Sequence, residues 1–200
     1  MGDGAEGREG AKRVEAFSDG VFAILITIMV LEMHAPEAPG LAHLWALWPV
    51  FLAYALSYAY IAIYWVNHHR MFHLATHVSN GLLWANIALL FALSLIPFAT
   101  AYLGRQEFSR DATLLYMVVM LLPSFAYLWL QNVIRSTGRQ DAEAQAYHTQ
   151  TLRKGAFGTT VYALGIPLTF ASPWLGLGCV ALVAFLWFLP RSPLDALFGP

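Results

Sequence analysis

Apolar stretches long enough to cross a lipid bilayer recur along this chain, and they constrain it more than any motif does. From Val21 to Leu31 only Thr27 interrupts an aliphatic and aromatic run, and comparable runs follow to the end of the sequence. A helix spanning the hydrocarbon needs about 20 mostly apolar residues. Six segments approach or reach that length: residues 14–33, 45–66, 79–103, 112–134, 154–171 and 174–189. In lipid every backbone N–H and C=O must be satisfied internally, so such segments fold as helices. Charged residues are only 12% of the chain, against about a quarter in soluble domains. The expected fold is an all-α membrane protein with six transmembrane helices per chain.

The connections carry the breakers this reading needs: "APEAPG" after the first run, "GRQEFSRD" after the third, "SP" between the last two. Pro97, Pro123 and Pro167 fall within or near the ends of spans, where membrane helices tolerate proline. With the N-terminus inside, the inner segments hold nine Lys or Arg, and the outer loops hold only Arg105 and Arg110. That asymmetry places both termini in the cytoplasm. Trp45, Trp48 and Trp174 then lie near outer span ends, and Trp65, Trp84 and Trp187 near inner ones. Residues 1–12, glycine-rich and charged, are expected to be a disordered cytoplasmic tail, residues 13–190 the transmembrane domain, and 191–200 a second short cytoplasmic tail. A signal peptide is disfavoured by Asp3, Glu6, Glu9, Glu15 and Asp19 around the first apolar core.

The first helix reads as two surfaces. At about 100° per residue, Ile24, Ile28 and Leu31 share a stripe that Gly20, Phe17 and Arg13 continue inward, with Thr27 beside it. Asp19 lies about 140° from Ile24, on the far side, and Ser18 is also off the stripe. A carboxylate costs several kcal/mol in lipid, so it must face protein or water. Asn67, His68 and His69 at the end of the second span, and Asn86 in the third, are its candidate partners. Together they would form a polar knot holding the first helix against its neighbours.

Other chemistry finds little support. His69, His73 and His77 are spaced by four, which is metal-ligand spacing on a helix. No zincin glutamate lies between them and no cysteine or carboxylate ligand lies near, so no metal and no cofactor are expected. The single cysteine, Cys179, excludes an intrachain disulfide. The chain has no G-x-S-x-G, no phosphate-binding glycine loop and no T-V-G-Y-G carbonyl filter. A formal net charge of -1 and the lack of a basic tract argue against nucleic acid.

Arg13, Phe17, Ser18 and Asp19, spaced as Arg-x-x-x-Phe-Ser-Asp at the start of the first helix, resemble the signature of the transmembrane protein 175 family. That family comprises lysosomal potassium channels and their prokaryotic relatives. The likeness extends to "NHHRMFH" after the second span and "WANIALLFALSLIPF" in the third. It implies a prokaryotic member with one six-helix copy per chain, a homotetramer in the cell (inner) membrane whose first helix lines a central pore. It maps the pore constriction onto Ile24, Ile28 and Leu31, and a pore-adjacent threonine layer onto Thr27. The implied function is passive potassium conduction through a hydrophobic gate, with potassium as the permeant ion and no enzyme activity. A proton or non-selective cation leak through the same pore stays open as an alternative. So does a membrane-embedded enzyme or scaffold using Asp19, His68 and His69.

Overall fold

The computed structural model describes residues 2–37 and 39–188, and it is helical throughout these apart from short connections. Among the described residues eight helices follow one another: α1 Gly2–Leu31, α2 Leu41–Trp45, α3 Trp48–Phe72, α4 Asn80–Ser94, α5 Ile96–Arg105, α6 Arg110–Thr137, α7 Ala142–Ala171 and α8 Pro173–Phe188. Among the described residues, four segments are long and apolar enough to cross a membrane: Glu6–Leu31, Trp48–Phe72, Asn80–Arg105 and Arg110–Thr137. The 16 residues of α8 form a shorter apolar helix.

Three features differ from the expected layout, each for a local reason. The third span is two helices, because Pro97 has no N–H to return to the preceding turn and the ladder breaks at Leu95. The fifth span, expected to begin at residue 154, is the second half of a longer helix: α7 starts at Ala142, after the Asp141 side chain, which accepts from the Ala144 N–H at 2.9 Å. The N-terminal tail expected to be disordered is instead the start of α1. Its glycines serve close packing: a Cβ on Gly7 would stand 2.8 Å from the Thr76 carbonyl oxygen, and one on Gly10 3.1 Å from Val78 Cγ2. Ala11, one turn on from Gly7, is buried. The short tail at 191–200 lies outside the described residues.

Contacts at the two ends of the bundle show which loops share a side. At one end Trp48 stacks on Trp174 with ring centroids 6.3 Å apart, and Phe108 packs against both. There too Arg105 pairs with Glu32 at 3.0 Å. Phe108 reaches this cluster from a tight turn in which Glu107 and Phe108 have φ of 48° and 60°. Burial of the ring offsets the cost of that left-handed backbone. At the other end the Arg139 N–H donates to the Leu74 carbonyl at 2.9 Å, and Thr76 donates to the Thr137 carbonyl at 3.0 Å. The α3–α4 and α6–α7 connections therefore lie together, with the N-terminal turns of α1 against them. α6 packs on α4 and α7, α8 packs on α7, and α1 rests at the edge on α3, α4 and α5.

Candidate functional site: the two faces of the first helix

One face of α1 points away from the rest of the chain. Phe17 is 64% exposed, Ile24 56%, Ile28 40% and Leu31 75%. Thr27 and Arg13 are exposed as well, and a Cβ on Gly20 would meet nothing within 4 Å. The opposite face is closed: Ser18, Phe22, Leu25 and Met29 are buried against the body. A groove of about 620 Å³ runs beside the outward face between α1 and α5, with Ile24, Ile28 and Phe98 among its walls. The Thr27 hydroxyl donates to the carbonyls of Ala23 and Ile24 at 3.1 and 2.9 Å. Its proton is thus turned onto the helix, which leaves the oxygen's lone pairs toward the open side.

The closed face is anchored by a chain of hydrogen bonds across three helices. His68 Nε2 lies 2.8 Å from Asn86 Oδ1. The Asn86 amide donates to Ser18 Oγ at 2.9 Å. Ser18 in turn donates to the Val14 carbonyl at 2.9 Å. With the Asn86 oxygen facing it, His68 donates from Nε2, and every donor in the row points toward α1. All three side chains are nearly or fully buried. Phe22 packs edge-on against the His68 ring at 5.5 Å, and Phe72 stacks on its other side at 4.3 Å.

Asp19 is not the centre of this knot. Its Oδ1 accepts from the Trp65 indole N–H at 2.9 Å, one turn before His68 on α3. The reason is azimuth: Asp19 lies about 100° round from Ser18, so Ser18 enters the cleft between α3 and α4 while Asp19 meets the flank of α3. Asn67 makes no link to α1, because its amide donates to the Ile63 carbonyl of its own helix at 2.7 Å. His69 finds a carboxylate, but it is Glu15: His69 Nδ1 and Glu15 Oε1 are 2.7 Å apart. His69 Nε2 then lies 3.1 Å from His73 Nε2. His77 turns to the Thr76 hydroxyl. Among the described residues, the group with donor atoms close enough to hold a metal ion is therefore Glu15, His69 and His73, all within 4.8 Å, rather than three histidines.

Sequence reasoning missed Trp65 and Glu15. Trp65 had an explanation already as an interfacial aromatic, yet it is one turn from His68 on the same helix. Glu15 is one turn from Asp19 and equally exposed to the flank of α3. A second polar layer nearer the Trp48 end also went unread. There Thr100 donates to Ser57 at 2.6 Å and Ser57 pairs with the Tyr116 hydroxyl at 2.9 Å, joining α3, α5 and α6.

Helix lengths, apolar faces and buried polar cross-links of this kind define a multi-pass helical membrane protein. Residues 13–97 match the family model described as Endosomal/lysosomal potassium channel TMEM175. A potassium channel of Chryseobacterium sp. (strain P1-3) is 42% identical over 184 residues, covering 92% of this chain and 95% of the relative. A potassium channel of Streptomyces collinus is 35% identical over 191 residues, 90% of this chain and 93% of its own length. Among solved structures, that of a lysosomal potassium-selective channel TMEM175 homolog from Chamaesiphon minutus superposes with a TM-score of 0.78 at 32% identity, covering 88% of this chain and 95% of the other. The chain belongs to the TMEM175 family. Its relatives along nearly the whole length are ion channels, and it is not an enzyme.

Proposed function

We propose that the chain is a passive, potassium-preferring cation channel, in which the first helices of a homotetramer surround one pore. The observation that carries this reading is the outward face of α1. A monomer with α1 at its edge leaves Ile24, Ile28 and Leu31 uncovered, while the opposite face is held by a buried hydrogen-bond chain. Such a helix is fixed in rotation and still lacks a partner for its apolar stripe. Symmetric copies supply that partner, and on the axis the stripe becomes a stack of apolar rings.

Ile24 forms the narrowest ring, with Ile28 and Leu31 about 6 and 10 Å further along. Closed, such rings exclude water, and an ion meets a dehydration barrier. Opening tilts or rotates α1 about its polar anchor and widens the rings. No carbonyl cage contributes, so an ion that loses water more readily passes more readily. The outward lone pairs of Thr27 replace part of the lost shell. Ser18 and Asp19 set the rotation of the helix and stand clear of the constriction, while Arg13 and Phe17 continue the outward stripe toward the N-terminus. α7 and α8 complete six crossings of a prokaryotic inner membrane, with the Lys- and Arg-rich end of the bundle in the cytoplasm.

Flux of potassium from liposomes containing the purified protein tests this directly. Ile24→Ser should raise the leak several-fold, and an unchanged leak would remove Ile24 from the gate. Thr27→Ala should lower the potassium-to-sodium ratio. Reversal potentials under a pH gradient separate potassium conduction from a proton leak, since only the latter tracks the proton gradient.

A further inference from the structure

A second cavity lies away from α1, at the end of the bundle that holds the α3–α4 and α6–α7 connections. It opens between the last turns of α3, the first half of α7 and the end of α8, with a volume of about 470 Å³. Arg70 reaches it from α3 and Lys154 from α7, and none of its described wall residues is a carboxylate. Lys154 Nζ sits 5.7 Å over the Trp187 ring, which holds the ammonium at the rim. Two cations thus converge on one space.

The other wall is apolar. Val66 and Phe188 flank the cations, and Phe188 is 81% exposed. An anion bound here would have charge on one side and hydrocarbon on the other. We propose that this cavity binds the phosphoryl head group of an anionic membrane lipid, with Arg70 and Lys154 on the phosphate and the acyl chains running along Val66 and Phe188. A free phosphate would use the two cations and leave the apolar wall bare, whereas a lipid uses both. Basic pockets between spanning helices at a cytoplasmic face recognise anionic lipids through this combination. Binding ties α3 to α7, so it stabilises the fold whatever ion the protein conducts.

The test uses the full chain purified in a neutral detergent, with the melting temperature and lipid retention in native mass spectrometry as readouts. Phosphatidylglycerol should raise the melting temperature and stay bound, and phosphatidylcholine should do neither. In Arg70→Gln/Lys154→Gln the apparent affinity for phosphatidylglycerol should fall about 10–30-fold, from two lost charges at the surface. Arg8→Gln/Arg135→Gln, with the same charge lost outside the cavity, should keep it. Each variant's own melting temperature in phosphatidylcholine is the baseline, so weakened folding is read separately from lost binding. Equal losses in both double variants would overturn the site in favour of bulk surface charge. Stabilisation by inorganic phosphate equal to that by phosphatidylglycerol would overturn the assignment to a lipid.

Discussion

Replacing Asn86 by alanine removes the middle of the chain that ties α1 to α3 and α4. Asn86 is 2% exposed and makes two hydrogen bonds, one to Ser18 Oγ and one with His68 Nε2. Interhelical hydrogen bonds in membranes are worth about 0.6 kcal/mol each on average. The larger effect is what the substitution leaves behind. His68 is fully buried and its Nδ1 already lacks a partner, so losing Asn86 orphans the second ring nitrogen at about 1–3 kcal/mol. Ser18 adds nothing, because it keeps the Val14 carbonyl. The expected loss is about 2–4 kcal/mol, or a fall in melting temperature of roughly 5–15 °C for a chain of this size. Asn67→Ala is the control: that side chain is also buried and amide-bearing, but its bond stays within α3. It should cost no more than about 1 kcal/mol. Thermal unfolding in detergent, followed by tryptophan fluorescence, measures both. Limited proteolysis should show α1 as the segment that loosens. If the two variants melt together, or Asn86→Ala melts as the parent does, the buried chain is not what holds the first helix.

The Trp65 and Asp19 pair can be separated from mere ring packing with Trp65→Phe. The phenyl ring keeps the stack with His69 and loses only the indole N–H, so a drop in stability smaller than that of Asn86→Ala is expected, with proteolysis again reporting on α1. Glu107→Gly relieves a left-handed backbone at an exposed position and should stabilise by about 0.5–1 kcal/mol; a lower melting temperature would contradict the strain argument. The Ala144 N–H and the Arg139 guanidinium hold the Asp141 carboxyl below its ordinary range. A depressed folded-state pKa contributes stability above the unfolded value and loses it as pH falls through the folded one. The Ala144 amide's protection factor, its exchange rate relative to the intrinsic rate at each pH, should therefore be high at neutral pH and fall as acid protonates Asp141, and Asp141→Ala should abolish that pH-dependent loss of protection.

How much of this was legible in residue order depends on the range of the interaction. Helix existence was, because a bilayer-length apolar run has one way to satisfy its backbone. The rotation of α1 was too, since a fixed angle per residue puts Ile24, Ile28 and Leu31 on one side of any helix. The N-terminal turns were not. Gly7 and Gly10 look like disorder until Thr76 and Val78 are seen packed where a Cβ would be. The family signature was also readable, since Arg13, Phe17, Ser18 and Asp19 are local in sequence.

By itself, then, the sequence determined a helical membrane protein of the TMEM175 family and the two faces of its first helix. The helices and the two faces follow from composition and periodicity, and the family from a motif resemblance; all three act along one chain segment at a time. Only the tertiary structure decided who meets whom: Ser18 with Asn86 and His68, Asp19 with Trp65, Glu15 with His69. A helical wheel gives the direction in which a side chain leaves its own axis. It holds no information about the rotation and rise of the neighbouring helix. One residue's difference, about 100°, was enough to send the serine into the buried cleft and the carboxylate to the flank of α3.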